Sequence, residues 1–298
     1  MSDSLQTIAD FVRYAYSRMN NEPVYFGHGT DNSWDEAVHL VLQSLHLPWN
    51  FDQPLWGCRV CDDERLRLYS NIRKRIDQRI PTAYITQTAW FCGLKFYVDE
   101  RVLVPRSPIA ELIQSEFQPW VQQPPKAILD LCTGSGCIGI ACATAFPDAE
   151  VDVLDISSEA LDVASININA YGLDDSVVPI QSDVYSALGE GFKGRYDLIV
   201  SNPPYVDEAD LASMPDEFHQ EPVLGLTSGK DGLDLVRRML KESADYLKED
   251  GILIVELGNS WEALELAFPD FGFTWLEFEQ GGHGVFVITA EELRNGAW

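Results

Sequence analysis

The chain has 298 residues, 46% of them hydrophobic and 23% charged, which suits a globular protein with one large domain and a smaller one. No apolar stretch approaches the length of a membrane span, and the first residues show neither the basic flank nor the apolar run of a signal peptide. We therefore expect a cytoplasmic protein without a membrane segment.

The formal net charge of −26 is unevenly distributed along the chain. Residues 1–95 carry 11 acidic and 10 basic side chains, whereas residues 96–298 carry 36 acidic and 11 basic ones. A field this negative repels phosphate backbones and favours basic partners, so DNA is not expected as a substrate. Adaptation of the organism to salt would produce the same acidity, and 7 lysines among 21 basic residues fit that alternative.

Six cysteines occur, and two of them form a lone Cys58-Arg-Val-Cys61 pair. Together with His39 and His46 upstream, this pair offers ligand types that zinc accepts. No second pair follows at zinc-finger spacing, and no βαβ context for redox chemistry surrounds it. We therefore predict neither a metal site nor a disulfide framework.

Residues 1–47 are predicted to be helical, with a break at Asn20–Pro23. Apolar residues recur at helical spacing before this break, at Leu5, Ile8, Phe11, Val12 and Ala15. A segment rich in turn formers follows it. We expect Asp31, Asn32 or Ser33 to cap a second helix, because their side-chain oxygens can accept from free backbone N–H groups.

A third helix is predicted from about Cys61 to Gln78, with one apolar face formed by Leu66, Tyr69, Ile72 and Ile76. Its other residues are strongly basic, namely Arg65, Arg67, Arg73, Lys74 and Arg75, with Arg79 just after. Such a run is typical of a solvated helix face. Because it lies in the part of the chain that is not strongly acidic, a contact of residues 65–79 with rRNA stays open.

The next segment predicts a β-hairpin. Strand-like residues run from Ala89 to Val98 around a glycine turn, and Val102–Val104 predicts further strand. We therefore divide the chain into a helical domain at 1–85, a β-hairpin junction at 86–105 and a larger domain at 106–298. A helix at about Ile109–Phe117 opens the last part.

From Lys126 onward, buried strand-like runs alternate with helical patterns, which is typical of a parallel, doubly wound α/β sheet. Five strands are predicted at residues 127–132, 151–155, 177–181, 196–201 and 251–257, and two more at about 273–279 and 284–289. Gln280–His283 joins the last two. We expect them to form an antiparallel pair at one edge of the sheet.

Glycines separate the first strand of this sheet from the next helix, at Gly134, Gly136 and Gly139. Glycine lets the backbone turn sharply and lets a ligand approach closely. Asp155 lies 19 residues past Gly136, at the end of the next strand, where a carboxylate can accept both hydroxyls of a ribose. On spacing alone, NAD binding explains this pattern equally well.

Two further carboxylates favour another cofactor. Asp130 precedes the glycines, where it would repel a pyrophosphate but suits a ligand with an ammonium and a positive sulfonium. Asp183 follows the third strand, where it can accept from an adenine amino group. These carboxylates and glycines, at successive strand ends, resemble the S-adenosylmethionine-dependent class I methyltransferases. The resemblance implies a Rossmann-like, seven-stranded mixed sheet and adds to the cofactor site Cys132, Thr133, Ser135, Ile156, Val184 and Asn202.

Ser201-Asn202-Pro203-Pro204-Tyr205 follows the fourth predicted strand. The prolines lack an N–H group, so they end the strand at the sheet edge where α/β proteins bind ligands. Asn202 and the Pro203 carbonyl offer two acceptors for the hydrogens of a planar –NH₂ group, and Tyr205 offers a flat face. An ordinary turn that closes a strand is the alternative interpretation.

With Asn-Pro-Pro-Tyr at this position, the chain resembles amino-group methyltransferases, which include DNA adenine methylases and the HemK/Prm protein glutamine methyltransferases. The second group is more similar, because the chain has no appended target-recognition domain and its catalytic part is highly acidic. The resemblance extends over nearly the whole chain, through the segments Tyr25–Asn32, Trp34–Ala37, Ala89–Gly93, Phe96–Ile113 and Gly281–Phe286.

Within this family the chain is most similar to the branch that modifies ribosomal proteins. The release-factor branch usually has an acidic pair shortly after Pro-Arg, where this chain has Ser107-Pro-Ile-Ala-Glu111. The resemblance implies a glutamine of a large-subunit ribosomal protein as substrate, free or in an assembly intermediate. It also implies substrate recognition by residues 1–85 and by Arg106. A release-factor glutamine methyltransferase, a DNA or RNA adenine methylase and a non-catalytic assembly factor remain as alternatives.

Overall fold

The computed structural model describes residues 4–298, apart from the side chains at positions 208 and 209. Its N-terminal part contains helices with an apolar core of their own: α1 (Ile8–Asn21), α2 (Ser33–Ser44) and α3 (Asp62–Asp77). Asn32 caps α2 by accepting from the backbone N–H groups of Trp34 and Asp35, which confirms one of the expected caps.

Helix α3 buries Leu68, Ile72 and Ile76, which recur at every fourth residue and therefore share one face. Leu66, in contrast, is 55% exposed. Its assignment to the apolar face was wrong, because it lies off this row of residues.

The basic residues of α3 are largely matched by acidic ones on the same helix. Arg65 lies 3.6 Å from Asp62, and Arg73 lies 3.3 Å from Asp77. Arg75 points into the protein and is 1% exposed. The helix thus presents less uncompensated positive charge than its sequence suggests.

After α3 follow a short helix, α4 (Thr82–Thr86), and an antiparallel hairpin of β1 (Ala89–Phe91) and β2 (Leu94–Phe96). The predicted hairpin is therefore present. The prediction of a strand at Val102–Val104 is wrong, because the N–H of Val104 donates to the side chain of Glu221 and not to a neighbouring strand. Helix α5 (Ile109–Gln114) follows.

Within residues 4–298, the second sheet has seven strands in the order β5-β4-β3-β6-β7-β9-β8. Neighbours from β5 to β7 pair in parallel, and β9 pairs antiparallel with both β7 and β8. The predicted mixed α/β sheet and its antiparallel edge are confirmed. The strands are β3 (Ala127–Leu131), β4 (Glu150–Asp155), β5 (Val177–Gln181), β6 (Tyr196–Ser201), β7 (Leu247–Glu256), β8 (Thr274–Trp275) and β9 (Val285–Thr289).

Helices cover both faces of this sheet, since alternate residues of its buried strands contribute to two separate apolar clusters. The helices after the hairpin are α6 (Cys137–Ala145), α7 (Ser158–Ala170), α8 (Glu208–Ser213), α9 (Val223–Leu226), α10 (Asp234–Tyr246), α11 (Trp261–Ala267) and α12 (Ala290–Asn295). Among the described residues, none of the helices has the length and apolar character needed to span a membrane.

Candidate active site

A cleft of about 860 Å³ opens at the carboxyl ends of the parallel strands, near the point where the strand order reverses between β3 and β6. Open α/β sheets bind ligands at this position. Two predicted site residues, Asp130 and Gly136, lie behind the cleft lining. The cleft brings together the other predicted residues: Arg106, Cys132, Thr133, Gly134, Ser135, Asp155, Ile156, Asp183, Val184, Asn202, Pro203, Pro204 and Tyr205.

The loop after β3 (residues 132–139, the glycine loop) turns through Cys132, Gly134 and Gly136, with φ values of 59°, 56° and 80°. The left-handed region favours glycine, so a cysteine there is uncommon. Gly139 lies so close to Val153 that a side chain at this position would push α6 away from the sheet. The sharp turn and the close helix packing therefore depend on these residues.

Asp130 is completely buried beneath the glycine loop. Its Oδ2 accepts from Thr133 Oγ1 at 2.5 Å and from the Gly139 N–H at 2.9 Å. Among the described residues, its Oδ1 has no hydrogen-bond partner. Burial raises the pKa of this carboxyl group to about 7. A buried acceptor without a partner can take a hydrogen bond from an ordered water or from an N–H group of a ligand beside it.

Asp155 ends β4 and braces the glycine loop from the side. Its Oδ2 accepts from the Gly134 N–H and its Oδ1 from the Ser157 N–H, both at 2.9 Å. Burial raises the pKa of this carboxyl group. Each oxygen retains a lone pair, so the side chain can still accept the hydroxyls of a ribose while it holds the loop.

Asp183 follows β5 and has a partner that the sequence did not indicate. Arg238 of α10 donates from Nη1 to Asp183 Oδ1 at 2.6 Å and from Nη2 to the Asp183 carbonyl at 3.2 Å. The Asp183 side chain is 49% exposed at the cleft rim. Any contact with an adenine amino group therefore uses a carboxylate that is already ion-paired.

The Asn202–Tyr205 turn follows β6 directly. Asn202 donates from Nδ2 to the Arg106 carbonyl at 3.5 Å, and its Oδ1 accepts no hydrogen bond from another described residue. The Tyr205 backbone is fixed at both ends, because its N–H donates to the Leu226 carbonyl at 3.1 Å and its carbonyl accepts from Ser260 Oγ at 2.6 Å. The turn thus presents a defined amide acceptor and a fixed ring to the cleft.

Arg106 is held by Glu221, a residue that sequence reasoning missed. The guanidinium donates from both terminal nitrogens to the two Glu221 oxygens, each at 2.6 Å, and lies 5.2 Å from the centre of the Phe218 ring. Burial opposes the ionisation of Glu221, but the Arg106 charge outweighs it and lowers the pKa to about 2. Arg106 and Glu221 are 115 residues apart, so no local signal could have found the pair.

The loop that carries Glu221 is also tied to the helical domain. Arg75 of α3 donates to Glu36 at 2.5 Å, to Glu217 at 3.0 Å and to the Tyr25 carbonyl at 2.6 Å. The Tyr25 N–H in turn donates to Glu217 at 3.0 Å. Arg75 was predicted within the basic run of α3, but in the structure it links the helical domain to the side of the cleft.

A second missed carboxylate is Glu256, at the end of β7. Its Oε1 accepts from the Tyr205 hydroxyl at 3.2 Å, and its Oε2 accepts from Ser107 Oγ at 2.5 Å. The strand-end rule that selected Asp155 and Asn202 would also have found Glu256 if it had been applied to the fifth parallel strand.

The Cys58–Cys61 pair remains outside this site. Both cysteines are exposed. Among the side chains that the structure describes, no group of three or more His, Cys, Asp or Glu residues is arranged to hold a metal ion.

Comparisons with known proteins identify the family. The family model "Methyltransferase small domain" matches residues 111–221. The catalytic domain of hMettl16, solved with an RNA hairpin of the MAT2A 3'UTR, has a similar fold, with a TM-score of 0.52 and 17% identity over 78% of this chain and 84% of that chain. At this identity the likeness concerns the fold alone.

Two curated relatives match nearly the full length, and each is named "Ribosomal protein uL3 glutamine methyltransferase". The protein from Francisella tularensis subsp. tularensis is 49% identical over 98% of this chain and 92% of its own. The protein from Bordetella pertussis is 46% identical over 97% of both chains. The chain therefore belongs to the family of the ribosomal protein uL3 glutamine methyltransferases.

Proposed function

We propose that this protein transfers a methyl group from S-adenosylmethionine to the side-chain amide nitrogen of a glutamine in the large-subunit ribosomal protein uL3. One observation carries the proposal: a single cleft holds both the glycine loop with its carboxylates and the Asn202–Tyr205 turn. The relatives' names supply the substrate, and the Asn202–Tyr205 turn is suited to a planar amide.

The described residues fit the proposed cofactor. The unpartnered Oδ1 of buried Asp130 suits an ammonium group, and Asp155 retains acceptor capacity for ribose hydroxyls. Asp183, Ile156 and Val184 line the rim on which an adenine would lie. When bound, the cofactor supplies an activated methyl group on a positive sulfur. The protein then has to align the acceptor and stabilise the charge that develops on it.

We assign the acceptor side to the Asn202–Tyr205 turn. An amide nitrogen is a poor nucleophile because its lone pair is delocalised into the carbonyl group. Asn202 Oδ1 and the Pro203 carbonyl would accept its two hydrogens and so stabilise positive charge on the nitrogen. Pro204 stiffens the turn, and Tyr205 packs on the amide plane. Arg106 frames the site through its carbonyl, which holds Asn202.

The remaining assignments concern the partner. We propose that residues 1–85 recognise the ribosomal protein, that 86–105 form the junction and that 106–298 form the catalytic domain. The negative charge of residues 96–298 suits a basic protein partner, free or in an assembly intermediate. Contact of residues 65–79 with rRNA and a cytoplasmic location stay predictions, and the ion pairs within α3 reduce the positive charge available for such a contact.

The proposed function is tested by incubating the purified protein with methyl-labelled S-adenosylmethionine and one of three acceptors: uL3, a class I release factor or double-stranded DNA. We expect label in uL3, on a glutamine located by mass spectrometry. Label in the release factor or in DNA, with none in uL3, would assign the protein to one of the alternative activities. Absence of label in every acceptor would favour a non-catalytic role.

A further inference from the structure

Glu256 occupies an unusual position for a charged residue. It lies at the carboxyl end of β7, beside the Asn202–Tyr205 turn, and is 5% exposed. Within the described residues, no Lys, Arg or His comes within ion-pair distance of its carboxylate. The nearby Arg106 forms its ion pair with Glu221 instead. A buried carboxylate without a paired cation lowers stability unless hydrogen bonds compensate for its lost hydration.

The two partners of Glu256 are both hydroxyl groups. The Tyr205 hydroxyl donates to Oε1 at 3.2 Å and Ser107 Oγ donates to Oε2 at 2.5 Å. Ser107 Oγ already accepts from the Ile109 N–H at 3.2 Å, which leaves its own hydrogen for Glu256. A carboxylate can accept both hydroxyls at once, whereas a glutamine has one acceptor oxygen and an –NH₂ donor. A glutamine at this position would therefore reverse the direction of one of the two hydrogen bonds and remove the charge.

These contacts close a ring around the expected acceptor site. Asn202 donates to the Arg106 carbonyl, and the next residue, Ser107, donates to Glu256. Glu256 accepts from Tyr205, which the turn connects back to Asn202. Gly258 completes the wall, because a Cβ there would come within 2.7 Å of the Tyr205 ring. The ring thus fixes the amide acceptor and the aromatic face relative to each other.

We propose that Glu256 is a positioning residue for methyl transfer, whose carboxylate holds the Tyr205 ring and the Arg106–Ser107 backbone in register with Asn202. The proposal rests on the proposed function, since it names a further residue of the same site. Burial raises the pKa of this carboxyl group to about 7, because the site removes it from water. Such groups concentrate at functional sites.

The test compares Glu256→Gln, Tyr205→Phe and the double variant. Each single variant loses a hydrogen bond to a charged group, so we expect kcat to fall about 10- to 100-fold. KM for uL3 and the dissociation constant for S-adenosylmethionine should change little, because the ring sets geometry and not affinity. Since both variants break the same contact, the double variant should be no slower than the slower single variant.

Asp152→Asn is the matched control. Asp152 is also 5% exposed and also accepts from a tyrosine hydroxyl, that of Tyr196 at 2.8 Å, but it lies away from the cleft. We expect this variant to lose stability without losing kcat. Wild-type kcat in Glu256→Gln, or effects of the two cleft substitutions that multiply in the double variant, would overturn the proposal.

Hydrogen exchange gives a readout that does not depend on the substrate. The N–H groups of Tyr205 and Val206 both donate to the Leu226 carbonyl, so their exchange reports on the turn. Exchange at these amides should accelerate in Glu256→Gln and stay unchanged in Asp152→Asn. If wild-type protein leaves uL3 unmethylated, the proposed function fails, and exchange alone decides the role of Glu256: acceleration supports it and unchanged exchange overturns it.

Discussion

The cleft has two halves that are built in different ways. The half that we assign to the cofactor lies within residues 130–184 apart from Arg238, and the hydrogen bonds of its carboxylates span at most 55 residues, as in Asp130–Thr133, Asp155–Gly134 and Asp183–Arg238. The acceptor half combines the Asn202–Tyr205 turn with distant segments, through the pairs Arg106–Glu221 and Ser107–Glu256.

The two halves of the cleft therefore differ in which parts of the chain must come together to form them. The cofactor half is built from consecutive strand–loop–helix units, whose strand ends meet at one edge of the sheet. The acceptor half forms only when residues 104–107, 217–228 and 256–260 assemble around the turn. We infer that the cofactor half sets the type of chemistry, whereas the assembled half sets the choice of acceptor.

Breaking the buried ion pair between Arg106 and Glu221 should produce the largest effect. Glu221→Ala leaves Arg106 without its buried partner, and we expect the free energy of unfolding at pH 7 to fall by about 3–5 kcal/mol. Asp148→Ala is the control, since the Lys126–Asp148 pair is a surface contact of 3.2 Å and should contribute less than about 1 kcal/mol. Denaturant unfolding measures both values, and equal losses would contradict the dependence on distant segments.

The same variant has a defined pH dependence. The pKa of Glu221 is lowered from 4.5 to about 2, so its stabilisation is fully present above pH 4.5 and disappears as the pH falls towards 2. The difference in stability between wild type and Glu221→Ala should therefore narrow between those pH values. A difference that stays constant down to pH 2 would contradict the ion pair.

Asn202→Ala tests the acceptor half by its chemistry. Loss of a positioned polar contact in the transition state typically costs about 100- to 1,000-fold in kcat, so we expect a loss of that size while S-adenosylmethionine still binds, more weakly. Asn169→Ala, at an exposed position of α7, serves as the control. Steady-state kinetics with uL3 checks the prediction. Near-normal turnover in Asn202→Ala would remove this residue from the catalytic site.

Asp130→Asn should separate binding from stability in the cofactor half. We expect the affinity for S-adenosylmethionine to fall about 10- to 100-fold, because a charged acceptor is lost. The pKa of Asp130 is raised from 3.8 to about 7, so wild-type protein loses stability as the pH rises through 7 and its carboxyl ionises. The variant should therefore gain relative stability from pH 5 to pH 8, measured by thermal unfolding. Calorimetry checks the affinity, and unchanged affinity would argue against an ammonium contact.

The smallest effect is expected for Asp183→Asn. Its ion pair with Arg238 is partly exposed, so stability should change by less than about 1 kcal/mol. An asparagine retains one acceptor oxygen, and we expect only a few-fold weaker cofactor binding by calorimetry. A loss as large as that of Asp130→Asn would show that the rim contributes as much as the buried floor.

Sequence patterns were sufficient where the determinant is local. The strands from 127 to 201, the hairpin at Ala89–Phe96 and the Asn32 cap follow from periodicity, glycine and capping chemistry. The glycine loop and the carboxylates that follow the strands were located in the same way.

Sequence patterns gave wrong predictions where contacts between distant segments determine the local structure. Val104 has a strand-like sequence, but a distant glutamate takes its N–H group, so the strand does not form. The sequence predicted Arg75 on a solvated basic face. In the structure it is buried, because it pairs with the buried carboxylates of Glu36 in α2 and Glu217 in the segment 206–228. Glu221 belongs to that segment, and nothing in its local sequence indicates its partner.

The buried Arg75–Glu217 pair joins residues 142 positions apart, and this makes the border that we propose between a helical and a catalytic domain a poor place for recombination. A hybrid that takes its helical domain from one relative and its catalytic domain from another must bring matching charges to this contact. Without them, each domain can fold, but the segment beside the acceptor site loses its ion pair with Arg75. Crossovers that keep Glu36, Arg75 and Glu217 from one parent should therefore yield active hybrids more often than crossovers that separate them.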